Sequence, residues 1–253
     1  MKQLKEFIIK GIANSIGSFY KDTTKIRCFT YHNISDSGKD KFTLSNKIFV
    51  QHIEYIYENE YRTIDSNFFL CNRKPKLSDK KVICLTFDDG FKNNLYVADL
   101  LLEYKLKAIF FITTSFVNQD KYLDWGEVKE LSNRGFEIGS HSHTHRNFRM
   151  LNNQELYNEL SISKDILQNK LGKEIKSFAF PFGKINTLNE IVYEILEKTN
   201  YLVAYTQIGG HITENLNIFK IPRNGINSTD NVHIFRKKLE GNYDVFKNIT
   251  YLP

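Results

Sequence analysis

Hydrophobic positions along the chain alternate between short continuous runs and longer stretches with helical spacing. Short apolar runs bounded by polar residues are typical of buried strands, whereas recurrence every three to four residues is typical of amphipathic helices. The runs predict strands over 26–31, 81–87, 107–113, 136–140, 176–180, 201–206 and 217–221. The spaced stretches predict helices over 46–59, 94–104, 125–134, 153–171, 188–198 and 230–239.

Strands that alternate with helices at this spacing predict a mostly parallel sheet with helices outside it. Seven strand candidates in one unit of 253 residues favour an α/β barrel or near-barrel in a single domain. In such folds the chemistry collects at the carboxyl ends of the strands. The polar residues that follow each predicted strand are therefore the first candidates for a site.

The first 25 residues have a different pattern from the rest. Apolar residues there recur at helical spacing, and Lys10 interrupts the run, so we expect an amphipathic helix over 1–25 and the barrel domain over 26–253. This helix could lie at a membrane interface or dock on its own domain. Because no signal peptide is recognisable, we expect a location in the cytoplasm or at the membrane surface.

Composition narrows the class of protein. The chain is 41% hydrophobic and 25% charged, which is ordinary for a globular protein. Its net charge of +6 is spread along the chain without a basic run interleaved with aromatics, so we do not expect a nucleic-acid partner. Cys28, Cys71 and Cys84 form no CxxC pair, which argues against a disulfide framework and a cysteine zinc site. Nothing in the sequence indicates an oligomeric state.

Two clusters of potential metal ligands follow predicted strands. Asp88 and Asp89 come directly after strand 81–87, and two carboxylates so close repel each other unless a cation or a proton shares the site. Taken alone, the pair could equally cap a helix. His141 and His145, after strand 136–140, are four residues apart, a spacing that can bring two imidazoles to one side, with His143 pointing elsewhere. Two histidines and one aspartate predict a catalytic metal site with open positions.

The motifs TFDDG and HSHTH, the second after the strand EIGS, resemble those of the polysaccharide deacetylase family, the NodB-like carbohydrate esterases. The resemblance covers roughly residues 26–240 and implies a distorted (β/α)7 barrel. By position, it implies that Asp88 is the catalytic base and that Asp89, His141 and His145 bind the metal. Zinc is our first choice for this donor set, although other divalent ions fit. The implied substrate is an N-acetylated glycan.

Other motifs of the family are altered in this chain. Many members carry Arg-x-Pro-Tyr, whose Arg orients the base, but here the segment is Ala179-Phe180-Pro181-Phe182. The backbone N–H of Phe182 can still donate to an oxyanion. Arg223, just after a predicted strand, could replace the missing Arg at position 179, or it could stabilise the fold.

The histidine that acts as general acid in many members also has no counterpart at the usual position. Many members supply it from a Leu-x-His motif near the C-terminus, which this chain lacks. The branch that resembles enzymes of poly-N-acetylglucosamine export supplies it from an N-terminal Tyr-His, and Tyr31-His32 fits that version. We therefore expect His32 to be the acid, with a structural role as the alternative.

Three functions remain open on this basis. The first is removal of N-acetyl groups from the amino sugars of a polysaccharide or oligosaccharide. The second is hydrolysis of a small non-sugar amide by a related enzyme. The third is a non-catalytic carbohydrate-binding protein, which the missing Arg at position 179 favours and the intact Asp88 opposes.

Overall fold

A computed structural model describes residues 22–37, 40–71, 81–183 and 190–244. Residues 1–21, which contain most of the predicted N-terminal helix, lie outside this set, so that helix stays a prediction. The strands are β1 (Arg27–Tyr31), β2 (Asn33–Ile34), β3 (Thr43–Leu44), β4 (Arg62–Ile64), β5 (Val82–Phe87), β6 (Ile109–Ile112), β7 (Glu137–Ser140), β8 (Ser177–Ala179), β9 (Val203–Tyr205) and β10 (Arg223–Gly225).

The helices follow the predicted spacing closely. They are α1 (Asn46–Glu58), α2 (Ser66–Cys71), α3 (Asn94–Glu103), α4 (Trp125–Asn133), α5 (Asn153–Leu171), α6 (Glu190–Lys198) and α7 (Val232–Leu239). The local sequence explains where several of these helices begin and end. Asp124 with Glu127 and Asn152 with Glu155 form capping boxes at the starts of α4 and α5, and Gly172 ends α5 in the left-handed conformation.

The strands form a nearly closed parallel barrel. Their order is β10-β1-β5-β6-β7-β8-β9, with β4 beside the first half of β5, and every strand pair in the described residues is parallel. The circle closes because Ile221 bridges Tyr205 of β9, while β10, two residues later, pairs with β1. This confirms the predicted NodB-type (β/α) barrel in a single domain.

Alternation along the strands divides the core into two layers. Cys28, Cys84, Phe111 and Tyr205 belong to a cluster inside the barrel, whereas alternate positions such as Leu85 pack outward against the helices. Cys28 and Cys84 are free, buried and in register on neighbouring strands, and Cys71 is exposed. The interior is tightly filled: a Cβ at Gly139 would lie 2.4 Å from the Phe111 ring.

One predicted strand is wrong. Residues 217–220 form a turn, in which the Lys220 N–H donates to the Asn217 carbonyl and the Asn217 side chain accepts from the Phe219 N–H, and Ile221 makes only an isolated bridge to Tyr205. Pro222 cannot donate a ladder hydrogen bond, so the strand begins only at Arg223. The short elements β2, β3, β4 and α2 were not predicted. None of the helices in the described part of the chain combines the length and the apolar character that crossing a bilayer requires.

Candidate active site and metal centre

The candidate residues meet at the carboxyl ends of the strands. Asp88 follows β5 in the same inward-facing register as Cys84 and Thr86, and its N–H donates to the carbonyl of Tyr31 at 3.0 Å. His141 follows β7, and its N–H donates to the Ile112 carbonyl at 2.9 Å. The barrel thus brings together two segments that are more than 50 residues apart in sequence.

Asp89, His141 and His145 form a compact triad of potential ligands. Oδ1 of Asp89 lies 3.4 Å from Nε2 of His141 and 3.3 Å from Nε2 of His145. The three ligand atoms all lie within 4.8 Å of one another. Oδ1 of Asp89 is buried and has no hydrogen-bond partner among the described residues. A buried, unpartnered carboxylate oxygen facing two imidazole nitrogens fits a divalent cation such as Zn²⁺.

Hydrogen bonds and local electrostatics act in opposite directions on the protonation of the two imidazoles. Nδ1 of His141 lies 2.8 Å from the carbonyl oxygen of Ala179, to which it can only donate, so Nε2 is left as the electron-pair donor. Burial lowers the pKa of His141 to about 4, which keeps this ring neutral. For His145, burial is outweighed by the contact with Asp89, and its pKa is raised. For Asp89 the same contact outweighs burial and lowers its pKa.

A tight turn carries the two histidines. Ser142 and His145 have positive φ angles of 69° and 57°, and the His145 N–H donates to the Ser142 hydroxyl at 3.0 Å. The buried carboxylate of Glu159, on α5, accepts from the N–H groups of His143 and Thr144 at 3.0 and 2.8 Å and from the Thr144 hydroxyl. Glu159 therefore fixes the backbone between the two imidazoles.

The side chain of His143 points away from the triad, as expected. Its Nδ1 bonds the hydroxyl of Thr114, in the loop after β6, at 2.8 Å.

Arg223 is placed against the proposed base. Its Nη1 and Nη2 donate to Oδ1 and Oδ2 of Asp88 at 2.7 and 2.8 Å, and both side chains are fully buried. Nε donates to the Thr206 carbonyl, and Nη1 also donates to the Thr86 hydroxyl. Burial alone would raise the pKa of Asp88, but Arg223 overcomes it and holds that pKa below its usual value. A guanidinium therefore pairs with Asp88 even though residue 179 is an alanine.

Gln207 completes the surroundings of Asp88 and was not predicted. Its Nε2 donates to Oδ2 of Asp88 at 3.0 Å, and its backbone N–H donates to the Gly183 carbonyl at 2.8 Å. Gln207 therefore connects the base to the turn that contains Phe182. Its position just after β9 was the available signal, but an isolated Gln after a strand has no distinctive spacing.

The other two candidates also face the site. His32 lies close enough for its charge to lower the pKa of both Asp88 and Asp89, and its buried Nδ1 has no hydrogen-bond partner among the described residues. Phe182 has a φ of 60°, and its half-exposed ring packs edge-on against His145 with the centroids 5.0 Å apart. No acceptor in the described part of the chain is bonded to the Phe182 N–H.

Comparisons with known proteins match this chain to polysaccharide deacetylases. The family model for polysaccharide deacetylases matches residues 76–220. YxkH of Bacillus subtilis is 25% identical over 201 residues, which are 79% of this chain and 70% of YxkH. The peptidoglycan-N-acetylglucosamine deacetylase PgdA of Listeria monocytogenes is 32% identical over 114 residues, which are 44% of this chain and only 24% of PgdA.

A solved structure supports the fold. The Streptococcus pyogenes deacetylase PplD, in complex with acetate, superposes with a TM-score of 0.75 at 21% identity. The match covers 85% of this chain and 98% of that one.

Proposed function

The chain belongs to the polysaccharide deacetylase family, whose members are carbon–nitrogen hydrolases, and from that premise we propose that it removes N-acetyl groups from amino sugars of a glycan. The observation that carries this proposal is the placement of Asp88. A fully buried carboxylate, held by Arg223 and kept ionised, lies beside a triad of metal ligands. A site that only bound metal would not need this second, oriented carboxylate.

Asp89, His141 and His145 would hold a divalent cation, and zinc suits two nitrogen donors and one oxygen donor. When bound, such an ion would polarise the acetyl carbonyl and lower the pKa of a water molecule toward about 7. We assign the proton transfers to residues of the chain. Asp88 takes the proton of the attacking water, and Arg223 and Gln207 keep the accepting oxygens in place.

The remaining roles follow from position. The Phe182 N–H donates to the acetyl oxygen as negative charge develops there, a contribution worth about 2.7–4 kcal/mol in comparable sites. His32 protonates the leaving nitrogen, so that the products are acetate and a free amino sugar. In this assignment the acetyl group lies between the metal ligands and Phe182, and the sugar ring lies toward His32.

The pairing of Arg223 with Asp88 weakens the case for a non-catalytic carbohydrate binder. That reading rested on the missing Arg at position 179, and a buried guanidinium pairs with Asp88 from β10 instead. The relatives favour a sugar substrate over a small amide, since PgdA is a peptidoglycan-N-acetylglucosamine deacetylase. We extend that substrate class, an N-acetylated glycan, to this chain.

Acetate release tests the proposal. The metal-loaded protein is incubated with N-acetylated oligosaccharides and, separately, with a small acetamide, and acetate is measured for wild type and Asp88→Asn. We expect acetate from the oligosaccharide with wild type only, while Asp88→Asn keeps its metal. Release from the small amide alone would favour the rival hydrolase. Equal release by Asp88→Asn would show that Asp88 is not the base.

A further inference from the structure

Two exposed phenylalanines touch the histidines of the site. Among the exposed large hydrophobic residues in the described part of the chain, only Phe42 and Phe182 have ring contacts with site residues. Phe42 is 52% exposed, and its ring centroid lies 5.0 Å from that of His32. Phe182 belongs to the turn already described, whereas Phe42 has no part in the mechanism.

The backbone around Phe42 is firmly held. The Phe42 N–H donates to Oδ1 of Asp40 at 2.7 Å, and the next residue, Thr43, donates its hydroxyl to Oδ2 of the same carboxylate at 2.6 Å. Thr43 also pairs in register with Asn33 in the small β2–β3 sheet, and Thr43 and Leu44 are both buried. The side-chain amide of Asn93, just before α3, donates to the Ile34 carbonyl at 2.8 Å. An exposed ring on such a backbone loses little freedom when a ligand covers it.

In the proposed reaction, the sugar lies on the same side of the site as the Phe42 ring. His32 protonates the nitrogen that stays on the sugar, so the sugar lies on the His32 side of the site and the acetyl group on the opposite side. Phe42 packs against His32 and extends the site outward on that same side. One face of a pyranose carries axial C–H groups, and the face of an aromatic ring carries partial negative charge that suits them.

The two exposed phenylalanines also lie beside strands on opposite sides of the barrel. His32 follows β1 and Phe182 follows β8, and these strands are separated by three others in one direction around the sheet and two in the other. A linear glycan laid over the site would therefore run from one exposed ring toward the other.

We propose that Phe42 is a sugar-stacking subsite on the His32 side, which binds the sugar unit next to the one that loses its acetyl group. This inference rests on the proposed function. A sugar stacked on one face of the Phe42 ring covers only part of its exposed surface, roughly 40–55 Å², and burial of that area corresponds to roughly a five- to tenfold gain in affinity. The gain is available only to a substrate long enough to reach the ring.

The experiment compares two substrates, tetra-N-acetylchitotetraose and N-acetylglucosamine, with wild type, Phe42→Ala and Phe42→Trp. We expect Phe42→Ala to lower kcat/KM for the tetramer roughly five- to tenfold through KM, to leave the monosaccharide rate unchanged, and Phe42→Trp to restore the tetramer value. Tyr57→Ala is the matched control, because Tyr57 is 59% exposed and contacts Tyr104 instead of a site residue. Unchanged melting temperatures verify folding.

Two results would overturn the proposal. An equal loss on both substrates would mean that Phe42 only supports His32, and no loss on the tetramer would mean that it contacts no sugar. If wild type releases no acetate from either sugar, the proposed function fails separately. Calorimetric binding of the tetramer to metal-loaded Asp88→Asn, with and without Phe42→Ala, then decides: weaker binding with alanine supports the subsite, and equal or absent binding rejects it.

Discussion

Replacing Arg223 by methionine tests the electrostatic design of the site. Arg223 makes two hydrogen bonds of 2.7 and 2.8 Å to Asp88, and neither side chain is exposed to solvent. Removal of one partner from a buried pair leaves an uncompensated charge and costs about 3–5 kcal/mol of unfolding free energy. Arg134→Met is the matched control, because Arg134 pairs with the exposed carboxylates of Asp99 and Glu130 and should cost only about 0–1 kcal/mol.

The loss of unfolding free energy caused by Arg223→Met should increase with pH. The folded-state pKa of Asp88 is lowered, so in wild type its ionised form contributes stability above an unfolded pKa of about 3.9, and that stability is lost as the pH falls through the folded value. Without Arg223, burial dominates and raises the pKa of Asp88. The variant must then bury a charge or take up a proton, so its penalty is largest near about pH 8 and shrinks toward about pH 5.

The assays are urea unfolding of the chelator-treated proteins across pH and acetate release across pH. We expect the acid limb of the kcat/KM profile of Arg223→Met to move to higher pH, with a loss of roughly 100-fold or more at neutral pH because the base is also misplaced. An Arg223→Met protein with the stability of the Arg134→Met control, an unmoved acid limb and full activity would refute the reasoning.

Three further perturbations test the surroundings of the metal ligands. Glu159→Gln replaces a carboxylate that accepts three hydrogen bonds from the turn carrying His141 and His145. Titration calorimetry should show about 10- to 100-fold weaker zinc binding than in the control Asp165→Asn, whose side chain is exposed. Equal zinc affinities would contradict the role of Glu159 in fixing this turn. Gly183→Ala places a Cβ 2.6 Å from the Gln207 nitrogen at a φ of +30°, so it should lower the melting temperature and kcat, whereas Gly225→Ala, which meets nothing within 4 Å, should do neither. The pKa of His145 is raised while that of His141 is about 4, so zinc binding below neutral pH should release a proton from His145. Calorimetry in buffers of different ionisation enthalpy should show proton release that grows as the pH falls. Proton release that does not depend on pH would contradict this assignment.

The barrel and the metal triad could be predicted because their signals are local. Buried strands such as β5 are continuous apolar runs, and His141 and His145 show their shared direction through their spacing. The same logic failed at residues 217–221, where most of the apolar run forms a turn. The strand that closes the barrel is the polar Arg223–Gly225, which owes its conformation to pairing with β1 rather than to its own composition.

The supporting contacts were beyond the reach of the sequence. Gln207 and Asp88 are 119 positions apart, and Glu159 reaches the histidine turn from a helix whose pattern shows only which face is buried. Arg223 was a candidate only through its strand-end position, and its choice between Asp88 and the general fold required coordinates. The N-terminal helix, the cytoplasmic or membrane-surface location and the export-type branch stay predictions.

Zinc binding to single-residue variants tests the central claim most directly. Titration calorimetry of the metal-free protein should give one ion per chain for wild type and for Asp88→Asn, and binding should be lost in Asp89→Asn, His141→Asn and His145→Asn. Undiminished zinc binding by any of the last three variants would contradict a cation held jointly by Asp89, His141 and His145.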